Sequence, residues 1–359
     1  MNKAIITGIA AGILVVGLVF SPLFSGFPLT SAQADHSGVT RHYTLIADET
    51  QVQVAPDNPL HPGGIMYNAM VFNGTIPAPV IAANVGDTIE FTLINEGDTI
   101  HSLDFHAGIG DALSGNIAPG ETTTMTLHAN NAGAFLYHCG ADGLNGVWEH
   151  IANGMYGGII VHPEREAAAK EFYMVFGEIY HNGAGLGEAQ EGNVSFDLTK
   201  LVADEPDLVL TNGMAHKYAP GVGQAVQVPL NPEADVFMVT PGELTRWYVV
   251  NPGPNGYVAF HFINGMIDVR DGNVKGHFLG RQVLQDETWT IPPGSASVIE
   301  ATFPEGTYVG VDHNMSHVLK GAAFVVVSSD EATDDDHPEG TWVPSKADLN
   351  DSAEMMMEG

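Results

Sequence analysis

The stretch from Thr88 to Asn95 reads TIEFTLIN and is rich in the β-branched and aromatic residues typical of strands. Comparable short runs follow, separated by Gly, Pro and Asn, and no long amphipathic helical pattern occurs after residue 34. The pattern therefore predicts an all-β protein of the sandwich or barrel type. The further runs are VIAANV (80–85), TTTMTLHA (122–129), AFLYHC (134–139) and GGIIVH (157–162).

The chain also resembles itself, which predicts two tandem domains of one kind. Phe72-Asn73-Gly74 recurs as Thr211-Asn212-Gly213, and Pro119-Gly120-Glu121 recurs as Pro293-Gly294. Pro163 ends the last predicted strand of the first half, and the charged, Ala-rich run EREAAAK follows it. The expected division is a first domain over 35–163, a linker over 164–170 and a second domain over 171–328.

The two ends of the chain differ from its body. Residues 4–29 are almost wholly apolar and Ala32-Gln33-Ala34 follows, which predicts a signal peptide or a membrane anchor over 1–34. The protein is therefore expected outside the cytoplasm, as a periplasm-like or secreted protein. Residues 329–359 carry acidic runs and three consecutive methionines, and they are expected to form a solvated, mobile tail.

Composition argues against one class of function and excludes one kind of cross-link. The 43 acidic residues against 12 basic ones give a formal net charge of −31, which argues against nucleic-acid binding because that needs basic patches. A single cysteine among 359 residues excludes an internal disulfide.

Most potential metal ligands lie in three motifs of the first half: TIHSLDFHAG (99–108), LYHCG (136–140) and HIANGM (150–155). Two imidazoles, one thiolate and a weakly bound methionine form the donor set of a blue-copper centre. Zinc is the poorer candidate, because structural zinc sites usually use more cysteines. The motifs supply His101, Asp104, His106, His138, Cys139, His150 and Met155.

His138 and Cys139 are adjacent on a predicted strand, so their side chains point to opposite faces. We therefore expect two metal sites on opposite sides of this strand. One set is His101, Cys139, His150 and Met155; the other is His106 and His138, with Asp104 nearby. The second set needs further ligands, and the second half offers His261 and His313 where the first half has His101 and His138.

Together these motifs resemble the copper-containing nitrite reductases over residues 40–328, and in particular the branch from ammonia-oxidising archaea. The resemblance implies two cupredoxin-like Greek-key β-sandwiches and two copper ions per subunit of a homotrimer. It implies that His101, Cys139, His150 and Met155 hold a type 1 copper. It also implies a type 2 copper held by His106 and His138 of one subunit and His313 of its neighbour.

The same resemblance implies the chemistry. Asp104 and His261 would be the catalytic acid pair, and Ile263 would shape the pocket. Nitrite would be the substrate, and a small redox carrier such as a cupredoxin would supply the electron. The ten residues between Cys139 and His150 make a longer loop than familiar bacterial members have.

Other functions remain open at this point. A two-domain multicopper oxidase could act on dioxygen, but its trinuclear cluster usually needs paired His-x-His motifs, and Gly140 stands where one such histidine would lie. Oxidation of hydroxylamine by the same two coppers is a related alternative that the sequence leaves open. A non-catalytic copper electron carrier is a second alternative, although it would not need the second half with His261 and His313.

Overall fold

The computed structural model describes residues 38–107, 109–110, 113–221, 230–270 and 283–357. The expected signal peptide or anchor over 1–34 lies outside these residues. Within them, no helix is both long enough and apolar enough to cross a membrane.

Two sheets form the first half of the described chain. Their elements are β1 (Thr40–Ala55), β2 (Ile65–Phe72), β3 (Ile81–Asn84), β4 (Thr88–Asn95), β5 (Asp104–Phe105), β6 (Ile109–Gly110), β7 (Thr122–His128), β8 (Gly133–His138), a short 3-10 turn (Gly143–Asn145), α1 (Val147–Ala152) and β9 (Tyr156–His162). The strand orders are β2-β1-β4-β7-β6 and β3-β9-β8-β5, with β1 parallel to β4 and β3 parallel to β9. Strand β4 alternates between buried and partly buried side chains, so one face packs in the core.

The second half repeats this plan. Its elements are β10 (Lys170–Ile179), α2 (Leu198–Ala203), β11 (Leu208–Thr211), β12 (Phe237–Val239), β13 (Leu244–Gly253), β14 (Val258–Phe262), β15 (Ile267–Val269), β16 (Val283–Asp286), β17 (Thr288–Ile291), β18 (Ser295–Thr302), β19 (Gly306–Asp312), α3 (Met315–Lys320), β20 (Ala323–Ser328) and α4 (Lys346–Met357). The sheets have the orders β11-β10-β13-β18-β15-β16 and β12-β20-β19-β14-β17, again with a parallel pair, β10 and β13, beside an antiparallel edge strand.

The prediction of an all-β protein built from two similar sandwiches is confirmed. Order β2-β1-β4-β7 of the first half matches order β11-β10-β13-β18 of the second, so the sequence repeat corresponds to a repeat of topology. A coil connects β9 to β10 between His162 and Lys170. The domain limits themselves stay a prediction.

Tyrosine rings lying over strand glycines join the two halves. Tyr156 of β9 lies over Gly177 of β10, where an added Cβ would be 1.9 Å from the tyrosine oxygen. Tyr173 of β10 lies over Gly158 of β9 in the same way, with an added Cβ 2.5 Å from its ring. Both rings are buried in one apolar cluster that contains residues of both halves. Only glycine leaves room for these rings, so the contact fixes how the halves pack.

The prediction of a solvated, mobile tail is wrong for its described part. Val343 and Leu349 are buried, at 3% and 5% exposure. The amide of Tyr173 donates to the carbonyl of Thr341 at 2.7 Å, and Arg41 donates to the carbonyl of Leu349 at 3.0 Å. Scattered apolar residues among the acidic ones therefore attach the segment to both halves.

Candidate metal centres

The end of strand β8 places the predicted ligands in two separate groups. One group brings His101, Cys139 and His150 together, and the other brings Asp104, His106 and His138 together. Within each group, one potential ligand atom per residue lies within 4.8 Å of the others. His138 is the last residue of β8 and Cys139 follows it, so the alternation of strand side chains separates the two groups.

The first group forms a buried pocket of nitrogen and sulfur donors. Cys139 Sγ lies 3.3 Å from His150 Nδ1 and 3.9 Å from His101 Nδ1. Helix α1 carries His150, and the turn after it returns the chain so that the Cys139 amide donates to the Met155 carbonyl. Cys139, His101 and Met155 are fully buried.

Burial also controls the protonation of this group. It lowers the pKa of His150 to about 4, and the nearby His101 adds to that effect. It lowers the pKa of His101 as well, although Glu49 opposes the shift. Burial raises the pKa of the Cys139 thiol, while backbone amides of Ala141 and Ser102 act against it. The imidazoles are therefore neutral near pH 7, as metal ligands must be.

The second group has its imidazole tautomers set by backbone carbonyls. His106 Nδ1 donates to the carbonyl of Gly294 at 2.8 Å, and His138 Nδ1 donates to that of Cys139 at 3.0 Å. Their Nε2 atoms face each other at 3.0 Å. Burial lowers the pKa of His138, and in neutral rings whose Nδ1 atoms donate to carbonyls the Nε2 atoms carry the lone pairs. Two lone pairs directed at one place fit a bound cation.

Asp104 lies at the edge of this group. Its Oδ2 is 3.7 Å from His138 Nε2, and its side chain is partly exposed. Strand β5 pairs Asp104 directly with His138, which fixes this arrangement. An added Cβ at Gly140 would lie 3.4 Å from the Cβ of Asp104, so position 140 borders the same carboxylate.

The predicted site residues of the second half, His261 and His313, lie together but are not part of the group formed by Asp104, His106 and His138. The rings of His261 and His313 are 5.1 Å apart between centroids. His261 Nδ1 donates to the carbonyl of Glu287 at 2.6 Å, with the Thr288 hydroxyl 3.3 Å away. His313 and Ile263 are exposed, Ile263 at 45%. A single chain therefore does not bring His313 within coordination distance of His106 and His138.

A third cluster of possible ligands is an ion network and not a metal site. His162, Glu166 and Glu171 lie within 4.8 Å of one another. The Arg246 guanidinium pairs with Glu166 at 3.2 Å and with Glu171 at 2.7 Å. This buried cation already balances the carboxylates.

Several partners of the ligands were not found by sequence reasoning. Glu49 binds His101, Gly294 and Glu287 supply the carbonyls that orient His106 and His261, and the Ser102 amide donates to Cys139 Sγ at 3.3 Å. Ser102 lies beside a predicted ligand and could have been suspected from its position. The other three come from distant strands and turns, and no sequence motif marks them.

Comparison with known proteins gives consistent matches. A family model described as multicopper oxidase matches residues 54–166. The copper-containing nitrite reductase of Neisseria gonorrhoeae is 32% identical over 72% of this chain and 62% of its own length. That of Alcaligenes xylosoxydans xylosoxydans is 30% identical over 83% of this chain and 89% of its own length.

A solved structure agrees with these matches. The copper nitrite reductase from Nitrosomonas europaea superposes with a TM-score of 0.67 at 32% identity, over 82% of this chain and 96% of that one. The chain spans 62–64% of the length of the Neisseria relatives it matches.

Proposed function

Because the chain belongs to the family of copper-containing nitrite reductases, we propose that it reduces nitrite to nitric oxide with two copper ions per chain. The observation that carries this proposal is the pair His138 and Cys139, which places two separate donor groups one residue apart. Such adjacency suits a reaction in which an electron received at one site is used at the other. Membership of the archaeal branch stays a prediction.

The donor sets support different roles for the two sites. His101, Cys139, His150 and Met155 would hold the type 1 copper, because a thiolate with two imidazoles and a weak thioether suits rapid one-electron transfer. His106 and His138 would hold the type 2 copper together with His313 of a neighbouring subunit. His313 is exposed and is not part of the group of possible ligands that contains His106 and His138, which supports a site shared between subunits. The resemblance to the family implies that these subunits form a homotrimer.

When bound, the copper ions would relay one electron and polarise nitrite, which with two protons gives nitric oxide and water. The electron would come from a small redox carrier such as a cupredoxin. Asp104 would hold a proton beside the substrate, since its carboxylate lies at the edge of the His106 and His138 pair. His261 would supply the second proton, oriented by the Glu287 carbonyl, and Ile263 would limit the pocket.

Three other functions are less favoured. A multicopper oxidase that reduces dioxygen would need more imidazoles for a trinuclear cluster than the groups around β8 supply. Oxidation of hydroxylamine by the same two coppers is less favoured because the relatives are named as nitrite reductases. A simple electron carrier would not require the paired His261 and His313. We also propose an extracytoplasmic location, on the basis of the apolar run at 4–29.

The shared site can be tested by complementation between two inactive variants. His313→Ala should lose about one copper per chain and nitric oxide formation while keeping the blue absorption. His106→Ala should do the same. When both variants are co-expressed with different tags, random assembly should restore about a quarter of the sites, because those sites combine intact ligands from two chains.

Activity of His313→Ala alone would contradict the proposed ligand, and inactive mixed assemblies would contradict the shared site. Co-expression of two differently tagged His313→Ala chains serves as the control, since no pairing of these chains restores a site.

A further inference from the structure

Glu49, on strand β1, is held by three donors beside the proposed type 1 centre. Its Oε1 accepts from the Thr99 hydroxyl at 2.6 Å and from His101 Nε2 at 3.1 Å. Its Oε2 accepts from the amide of Asp98 at 2.7 Å. Three donors around one carboxylate fix its position and favour its charged form.

The contact determines which nitrogen of His101 can bind a metal. Because Nε2 carries the proton donated to Glu49, the lone pair lies on Nδ1, the atom that faces Cys139 Sγ at 3.9 Å. His101 is fully buried while the Glu49 side chain is 29% exposed, so the carboxylate connects the buried ring to the surface.

Gly97 makes the close approach possible. A Cβ added at this position would lie 2.4 Å from Glu49 Oε2 and 3.0 Å from His101 Nε2. Any larger residue would therefore displace the carboxylate from the imidazole. Among the described contacts of His150, the other imidazole of this group, no carboxylate takes a corresponding place.

We propose that Glu49 is a positioning residue for the type 1 centre, which holds His101 in the Nδ1-donating tautomer and favours the oxidised metal. A carboxylate bound to a ligating imidazole increases the basicity of the ring, and its negative charge stabilises the more highly charged ion. The inference rests on the proposed type 1 site. It adds that the potential of this site depends on a residue outside the four ligands.

The test is a redox titration of the blue absorption in the copper-loaded full chain. Glu49→Gln keeps the shape of the side chain and removes its charge. The ratio of oxidised to reduced centre at a fixed ambient potential should therefore fall about tenfold, which corresponds to a reduction potential ~59 mV higher for one electron. Glu49→Ala should show the same shift in reduction potential and also a 10- to 100-fold lower affinity for the type 1 copper. The reduction potential of Glu49→Asp, which keeps the charge, should lie nearer to the wild-type value than that of Glu49→Gln.

Two further variants separate this role from a general structural effect. Gly97→Ala retains Glu49 but displaces its carboxylate, so it should raise the reduction potential, as Glu49→Gln does. Glu90→Gln removes an exposed carboxylate on the neighbouring strand β4, where it faces His42 at 3.6 Å, and should change neither potential nor affinity.

An unchanged potential and copper affinity in both Glu49→Gln and Glu49→Ala would overturn the inference. A wild type without blue absorption would overturn the type 1 assignment and this inference with it. Blue protein that forms no nitric oxide would contradict the proposed function alone, because the titration does not involve nitrite.

Discussion

At the scale of single residues, three imidazoles of the two proposed metal sites are oriented by partners on their second nitrogen. Glu49 binds His101, and backbone carbonyls bind His106 and His138. The first site therefore offers Nδ1 of His101, whereas the second offers Nε2 of both its histidines. Such partners fix the tautomer before a metal arrives, which reduces the cost of ordering the ligands.

Asp104→Asn tests the proposed proton donor. The amide keeps the size of the side chain but cannot deliver a proton, so kcat for nitrite should fall about 10²- to 10⁴-fold. Copper content and the blue absorption should be unchanged, because Asp104 is not a proposed ligand. Asp330→Asn, which removes an exposed carboxylate after β20, is the control. Full activity of Asp104→Asn would exclude the carboxylate from the reaction.

At the scale of elements, the last residue of β8 and the one after it separate the two sites. His138 belongs to the strand and Cys139 starts the return through α1 to β9. The alternation of side chains would allow one strand to serve two metals, and it keeps the two proposed sites separate in their ligands.

Cys139→Ala should therefore remove one copper per chain and all blue absorption, while the second copper remains on His138 and its partners. Metal analysis of the purified variant, with spectroscopy in the visible range, measures both quantities. Nitric oxide formation from a reduced carrier should be lost, since the electron has no entry site. Persistence of the blue absorption would show that Cys139 is not the thiolate ligand.

Strands β9 and β10 pack through tyrosines over glycines, and a single methyl group tests that contact. Gly177→Ala places a Cβ against the buried oxygen of Tyr156, and overpacking of this kind costs about 1–3 kcal/mol of the free energy of unfolding. Gly221→Ala adds a methyl group with no atom of the described residues within 4 Å, and it is the control. Equal denaturation midpoints for the two variants would contradict the tight contact.

At the scale of the whole molecule, a buried charge network and the C-terminal segment connect the two halves. His162 ends β9, and both its ring nitrogens donate: Nδ1 to Glu166 and Nε2 to the carbonyl of Pro344, each at 3.0 Å. Burial opposes a charged ring, but the bond to Glu166 and the charge of Glu171 outweigh it and raise the pKa of His162.

This raised pKa predicts a pH-dependent contribution to stability. The folded protein holds the proton more tightly than the unfolded chain, so the contribution is complete below the ordinary histidine pKa of 6.5 and is lost as the pH rises through the folded value. The difference in thermal midpoint between wild type and His162→Gln should thus be larger at about pH 6 than at about pH 9. His42→Gln, at an exposed histidine, gives the baseline. A difference that grows with pH would refute the protonated His162.

Local signals explain how much of this architecture the sequence predicts. Strand alternation and the adjacency of His138 and Cys139 are properties of neighbouring residues, so the two β-sandwiches and the two donor groups could be expected. Glu49 lies far from His101 along the chain, and the pairing of β1 with β4, which ends at Ala47 and Asn95, brings the two segments side by side. The acidic runs of the C-terminal segment predict a solvated tail, so the sequence does not predict the burial of Val343 and Leu349. Their burial depends on surfaces that both halves provide.

The most direct test of the central claim is an anaerobic assay of the copper-loaded protein with nitrite and a reduced dye, which measures nitric oxide and copper per chain together. The proposed function predicts nitric oxide formation with about two coppers per chain. Two bound coppers without nitric oxide, or four coppers with consumption of dioxygen in a parallel aerobic sample, would contradict it.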